Sequence, residues 1–272
     1  MSNLVQRLLT ALVGATVVVA LLRLGGWPFA ALMAAAAAVG QLELYALLRK
    51  AGSRPMAALG VAVGVAVTLA ALLPFAVPAV ILGTVAALVA TLYRRQSETP
   101  LHDVAGTLLG VAYPAAGLAT VLWLRTSRAD WLGADGAFWL TLALFFCVWG
   151  ADTFAYVAGR AFGKHPLFPR VSPKKTWEGA VGGAVGAFVL AAGFKLGPLA
   201  SVLAWADVAV VAVCCGVVAP FGDLAESLFK RSTDTKDSGT WLPGHGGMLD
   251  RIDAAVVAIP LVVLYLDAVY GL

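Results

Sequence analysis

Apolar runs and short polar breaks alternate along almost the whole chain. Nine runs approach the roughly 20 residues that cross hydrocarbon as a helix. They cover about 4–24, 27–48, 56–73, 76–93, 104–124, 136–159, 179–196, 200–219 and 253–271. The pattern predicts an all-α polytopic integral membrane protein with about nine transmembrane helices. The runs flanking Pro74 and Pro78 can also be read as one broken helical hairpin. Arg7 and Arg23 bracket the first run. No small-residue cleavage site follows it, so a retained span is expected rather than a signal peptide.

Two segments are too polar to span, and they divide the second half of the chain. Residues 1–135 form N-terminal transmembrane helices in this reading, and 136–272 a catalytic transmembrane region with polar segments 160–178 and 220–252. Two apolar runs separate these segments, so both lie on one face of the membrane. The seventh run opens with Gly179, Gly182, Gly183 and Gly186, two overlapping GxxxG spacings that permit close helix approach. Packing within the chain is favoured over a subunit contact.

Composition agrees with the pattern. Of 272 residues, 61% are hydrophobic and 12% charged, and mean hydropathy is +0.88. A soluble domain needs a larger polar skin. The net charge of +4 is not read as nucleic-acid binding, because Lys and Arg cluster between apolar runs. With the N-terminus inside, only Arg23, Arg125, Arg128 and Lys195 of the 19 basic residues fall outside. The positive-inside bias therefore predicts a cytoplasmic N-terminus, an outside C-terminus, and both polar segments in the cytoplasm. Cys147, Cys214 and Cys215 lie in apolar runs and read as small buried hydrophobes.

Candidate chemistry sits in the polar segments. Asp223, Glu226, Ser227 and Lys230 share one face if their stretch is helical. A Ser, Thr, Gly and Pro-rich loop follows, with Gly244, Gly246 and Gly247 around His245, and Asp250 and Asp253 then open the last run. Carboxylates interleaved with Lys and Arg suit Mg²⁺ and phosphate. A salt-bridged loop that anchors helix ends is the other reading. Residues 159–165 lack the spacing and hydroxyl of a P-loop, the three histidines lack zinc spacing, and no GxSxG occurs.

The run Ser227-Leu-Phe-Lys230-Arg231, Lys236-Asp237, Gly239, Leu242-Pro243, His245-Gly246-Gly247-Met248, Asp250-Arg251-Ile252-Asp253 resembles the signature of phosphatidate cytidylyltransferases, or CDP-diacylglycerol synthases. Ser172-Pro-Lys-Lys-Thr-Trp-Glu-Gly179 and Asp152, Tyr156, Gly159-Arg160 look like further family elements. The detailed resemblance covers about 150–253. It implies a helical membrane bundle, usually dimeric, that makes CDP-diacylglycerol and pyrophosphate from CTP and phosphatidate with Mg²⁺, in phospholipid biosynthesis at the inner membrane.

By resemblance, Asp223 and Asp250 are metal ligands. Asp253 is a weaker third or a helix cap, and a second cation is possible. Lys230, Arg231, Lys236, Asp237, His245 and Arg251 are the catalytic candidates. The cations among them would hold triphosphate or anchor topology, and His245 would donate to phosphate or order its loop. Ser172, Lys174, Lys175, Thr176, Glu178, Ser227 and Asp152 are the substrate-binding candidates. Glu178 is expected to pair with a nearby lysine or touch metal, and Asp152 to line a cavity or pair with Arg160. Glu43 is expected to snorkel or to pair with Arg49 or Lys50. Other readings are a CTP-dependent enzyme of another lipid, such as a polyprenol kinase or an ether-lipid cytidylyltransferase, and a transporter.

Overall fold

The computed structural model describes residues 3–73, 76–93, 98–127, 129–239, 241 and 246–271. Each apolar run becomes a helix. These are α1 Asn3–Leu24, α2 Gly26–Lys50, α3 Ala57–Ala70 and α4 Ala76–Leu92. Next come α5 Pro100–Thr126, α6 Ala129–Phe162, α7 Trp177–Leu196, α8 Trp205–Ser232 and α9 Leu249–Tyr270. Six of these, α2 and α5 to α9, contain stretches long and apolar enough to cross a membrane. The 14 residues of α3 rise only about 21 Å, short of a hydrocarbon core of ~30 Å. Pro74, an expected break between α3 and α4, lies outside the described residues.

Three helices are locally irregular. The five residues Val111–Ala115 of α5 form a π turn around Pro114. Proline has no N–H for the preceding turn, and widening the helix accommodates its ring. A second π turn, Cys214–Val218, interrupts α8. Gly133 supplies a φ of +70° where α6 changes direction, a conformation open to glycine.

The chain forms two compact units: residues 1–123 with 229–252, and 124–228 with 253–272. In the first, α2 packs on α1, α3 and α5. Its buried face carries Gln41 and Tyr45, each of which donates to a backbone carbonyl. Gln41 donates to the Gly60 carbonyl at 2.8 Å, and the Tyr45 hydroxyl to the Thr107 carbonyl at 2.8 Å. Gly60 and Gly110 lie against the Tyr45 ring.

In the second unit α6 and α7 form the most extensive contact. A Cβ at Gly179 would stand 2.9 Å from the Ala155 carbonyl oxygen, and one at Gly183 3.0 Å from that of Ala151. Gly182 and Gly186 face Ala158 and Phe154. Both GxxxG spacings therefore serve packing against α6. Cys147, Cys214 and Cys215 are free and buried.

An all-helical chain was expected, but the segment between α6 and α7 holds a small antiparallel ribbon, β1 Pro166–Phe168 and β2 Ser172–Thr176. The Val171 N–H donates to the Phe168 carbonyl at 3.1 Å, which closes a turn with Pro169 at its second position. Proline's fixed φ suits that place.

Candidate active site

In the second unit, Asp223 and Glu226 stand three residues apart on α8, one helical turn, so their side chains share a face. Asp253 lies where α9 loosens into a turn before Ala255. Gly222 allows the approach, since a Cβ there would run into the Asp253 carbonyl oxygen. One oxygen from each of Asp223, Glu226 and Asp253 falls within 4.8 Å of the others. Glu226 is fully buried and Asp253 only 7% exposed. Three carboxylates held this close, two of them out of water, are costly to ionise together, and a shared proton or a bound cation relieves the repulsion. An all-oxygen donor set suits a hard divalent ion.

Two further groups of the same unit address this cluster. The Lys175 ammonium lies 2.6 Å from Asp223 Oδ2. The Ser227 hydroxyl donates to Asp223 Oδ1 at 3.2 Å. Asp253 Oδ1 also accepts the Ala254 N–H at 2.7 Å, which fixes its rotamer from its own backbone.

The ribbon positions Lys175 on β2. Thr176 ends β2 and caps α7, its Oγ1 accepting the Gly179 N–H at 3.1 Å. Among the described residues Glu178 pairs with His165 in place of the expected lysine side chain. It accepts the Lys164 N–H at 3.1 Å and meets His165 Nδ1 at 2.6 Å. The reason is geometric: β1 and β2 fold back on each other, which brings residues 164 and 165 beside the first turn of α7. Ser172 is half-buried and Lys174 exposed on β2, and Asp152 is exposed on α6. Arg160 directs Nη1 to the Tyr156 hydroxyl at 3.0 Å.

The first unit holds the rest of the signature. Lys230 and Asp250 form an ion pair, both largely buried. Asp250 Oδ2 also accepts the Ser238 hydroxyl at 2.9 Å and the Gly247 N–H at 2.9 Å. Gly246 takes a φ of +77°, so the chain can turn sharply ahead of α9. Arg231, Lys236, Asp237 and Arg251 are exposed. His245 lies outside the described residues, as do Leu242, Pro243 and Gly244.

Glu43 is the acid that sequence reasoning misplaced. It is 3% exposed on α2, away from Arg49 and Lys50 at the helix end. Its Oε1 accepts the Met248 N–H at 3.0 Å and its Oε2 the Leu249 N–H at 2.8 Å. The Ser238 hydroxyl stands 3.2 Å from Oε2. An isolated acid inside an apolar run was the available signal. Its partners lie about 200 residues further along the chain.

Glu226 was placed on the Asp223 face but not among the ligand candidates. The structure sets it with Asp223 and Asp253, while Asp250 takes Lys230 as its partner.

The sequence profile of the cytidylyltransferase family matches residues 5–269. The phosphatidate cytidylyltransferase of Haemophilus influenzae is 43% identical over 146 residues, 53% of this chain and 50% of that protein. That of Brucella abortus is 43% identical over 160 residues, 57% of each chain. The chain thus spans only about half the length of these relatives. That of Synechocystis is 32% identical over 285 residues, 94% of each. With its profile match running nearly end to end, the chain belongs to the cytidylyltransferase family.

Proposed function

We propose that the chain transfers the cytidylyl group of CTP to phosphatidate, giving CDP-diacylglycerol and pyrophosphate for phospholipid biosynthesis. The observation that carries this reading is the buried Asp223, Glu226 and Asp253 cluster beside Lys175, inside a family of cytidylyltransferases. The names of the relatives support the choice of acceptor.

Phosphatidate is already an anionic monoester, so no strong base is needed. One of its phosphate oxygens forms a bond to the α-phosphorus of CTP. The bond from that phosphorus to the bridging oxygen of the β-phosphate breaks, and pyrophosphate leaves with the electron pair. The difficulty is bringing two polyanions together, so catalysis rests on positioning and charge neutralisation.

Asp223, Glu226 and Asp253 would hold Mg²⁺, which would supply positive charge against the phosphate groups when bound. Lys175 and the exposed Lys174 would attract phosphate, and Ser227 would keep Asp223 in its rotamer. The resemblance also assigns Asp250 to metal, and we keep that role for a second cation. Arg231, Lys236, His245 and Arg251 are assigned to phosphate on the resemblance alone.

We further infer that α3 and α4 enter the membrane as one short helical hairpin among the crossing helices, with a cytoplasmic N-terminus, an outside C-terminus, cytoplasmic chemistry at the inner membrane, and a homodimer. The basic-residue bias supports the orientation. α3 and α4 come as a pair, so the side reached by every later helix is the same whether or not they cross.

The test is purified protein with labelled CTP, phosphatidate and Mg²⁺. Wild type is expected to form lipid-linked CMP, and Asp223→Asn to lose at least about 100-fold in rate. Equal rates for the two, or preference for a polyprenol or ether lipid, would overturn the assignment.

A further inference from the structure

The carboxylate of Glu43 has no role in the reaction proposed above, yet it is caged among residues of the signature. Gly239 and Gly247 leave no room for a Cβ on its two sides: one at Gly239 would collide with Oε1, and one at Gly247 would stand 2.6 Å from Oε2. The acid on α2 thus closes off Gly239, and together with the Ser238 hydroxyl, which a Cβ there would also strike, it closes off Gly247. Both oxygens are used, one on the Met248 N–H and one on the Leu249 N–H. These are among the amides that a helix start leaves unanswered, and α9 begins at Leu249. A negative charge is favoured at that end.

The next residue, Asp250, meets the same hydroxyl. Ser238 Oγ lies 2.9 Å from Asp250 Oδ2 and 3.2 Å from Glu43 Oε2. A serine hydroxyl has a single proton, so it donates to one of the two acids at a time and links their orientations. The Ser238 N–H adds a 3.2 Å bond to Asp250. Asp250 is therefore aimed by a loop, and that loop is fastened to α2 through one side chain.

We infer that Glu43 is a positioning residue: it pins Met248, Leu249 and Ser238 so that Asp250 and Lys230 are held in one arrangement. This rests on the proposed reaction for its kinetic consequence but not for its structural one. Glu43→Gln keeps the shape and replaces one acceptor oxygen with an NH₂ group. That group then faces an amide N–H or the Ser238 hydroxyl, and one bond is lost.

Two measurements on the purified full chain test it. The first is amide hydrogen exchange read by mass spectrometry. Peptides spanning 246–252 should exchange at least about 10-fold faster in Glu43→Gln than in wild type, with α7 peptides unchanged. The second is steady-state kinetics with CTP and phosphatidate. Here kcat should fall roughly 10- to 100-fold, with KM for CTP changing much less, as when a supporting partner of a site is removed. Ser238→Ala should lower kcat in the same direction, and serves if Glu43→Gln fails to fold. Tyr45→Phe removes a buried hydrogen bond from the same helix and is the control for instability alone. It should lower the unfolding temperature and leave kcat unchanged.

Normal protection of 246–252 in Glu43→Gln, or a kcat loss equal to that of Tyr45→Phe, would overturn the inference. A wild type with no transfer activity, but with the exchange difference intact, would sink the proposed reaction and leave the fastening role standing.

Discussion

A carboxylate taken out of water has to be answered by donors or cations, as Glu43 and Asp223 show. Glu43 is met by backbone N–H groups and a serine hydroxyl. Asp223 is met by Lys175 and Ser227. Both acids were visible in the sequence, and Asp223, Glu226 and Ser227 were correctly set on one helical face. The partners of Glu43 and Glu178 were not visible, because a carboxylate carries no mark of which backbone or side chain beyond its own turn will reach it. Proximity in sequence favoured Arg49, Lys50, Lys174 and Lys175, whereas the fold brought Leu249 and His165. Asp253→Asn should weaken Mn²⁺ binding by about 10-fold or more, measured from the free-ion signal in electron paramagnetic resonance. Unchanged affinity would place the cation elsewhere. Thr176→Ala should cost about 1 kcal/mol through loss of the α7 cap, read from denaturant unfolding of the purified protein.

Helices were the most legible elements, because in lipid the backbone must satisfy itself within each apolar run. Each of the nine runs is helical among the described residues, and the glycine spacing of α7 marked a close contact that α6 fills. The π turns were not foreseen, although Pro114 gave a reason to look for one. The ribbon was missed as well. Three-to-five-residue strands leave too short a pattern, and only Pro169 signalled the turn. Helix contact makes an opposed pair of expectations. Gly183→Leu puts bulk where even a Cβ meets the Ala151 carbonyl oxygen at 3.0 Å and Ala155 at 3.2 Å, so it should destabilise by about 1–3 kcal/mol or more. Gly193→Ala meets nothing within 4 Å and should stabilise α7 by up to about 1 kcal/mol. Thermal unfolding in one detergent compares the two directly.

Scarcity of charge gives the whole molecule its character. At 12% charged residues most of the chain is committed to lipid or to helix contact, and 16 of the 34 acids and bases are concentrated in two stretches, 160–178 and 220–253. That concentration was legible, and so was the family, since the signature is written in one continuous run. How the two stretches fold was less legible, because Asp223 and Asp250 take their partners in different compact units. The inferred orientation has its own check. A C-terminal tag on intact cells should be labelled by an impermeant reagent, and protection of the tag until the membrane is opened would reverse it.

The central claim is cytidylyl transfer to phosphatidate, and the position of the label in the products tests it most directly. Purified protein with phosphatidate and Mg²⁺ would be given CTP labelled either at the α- or at the γ-phosphate. The α-label is expected in the lipid and the γ-label in pyrophosphate, in equal amounts, with both stopped by chelation of the metal. A γ-label in the lipid, or CTP consumed at the same rate without phosphatidate, would contradict it.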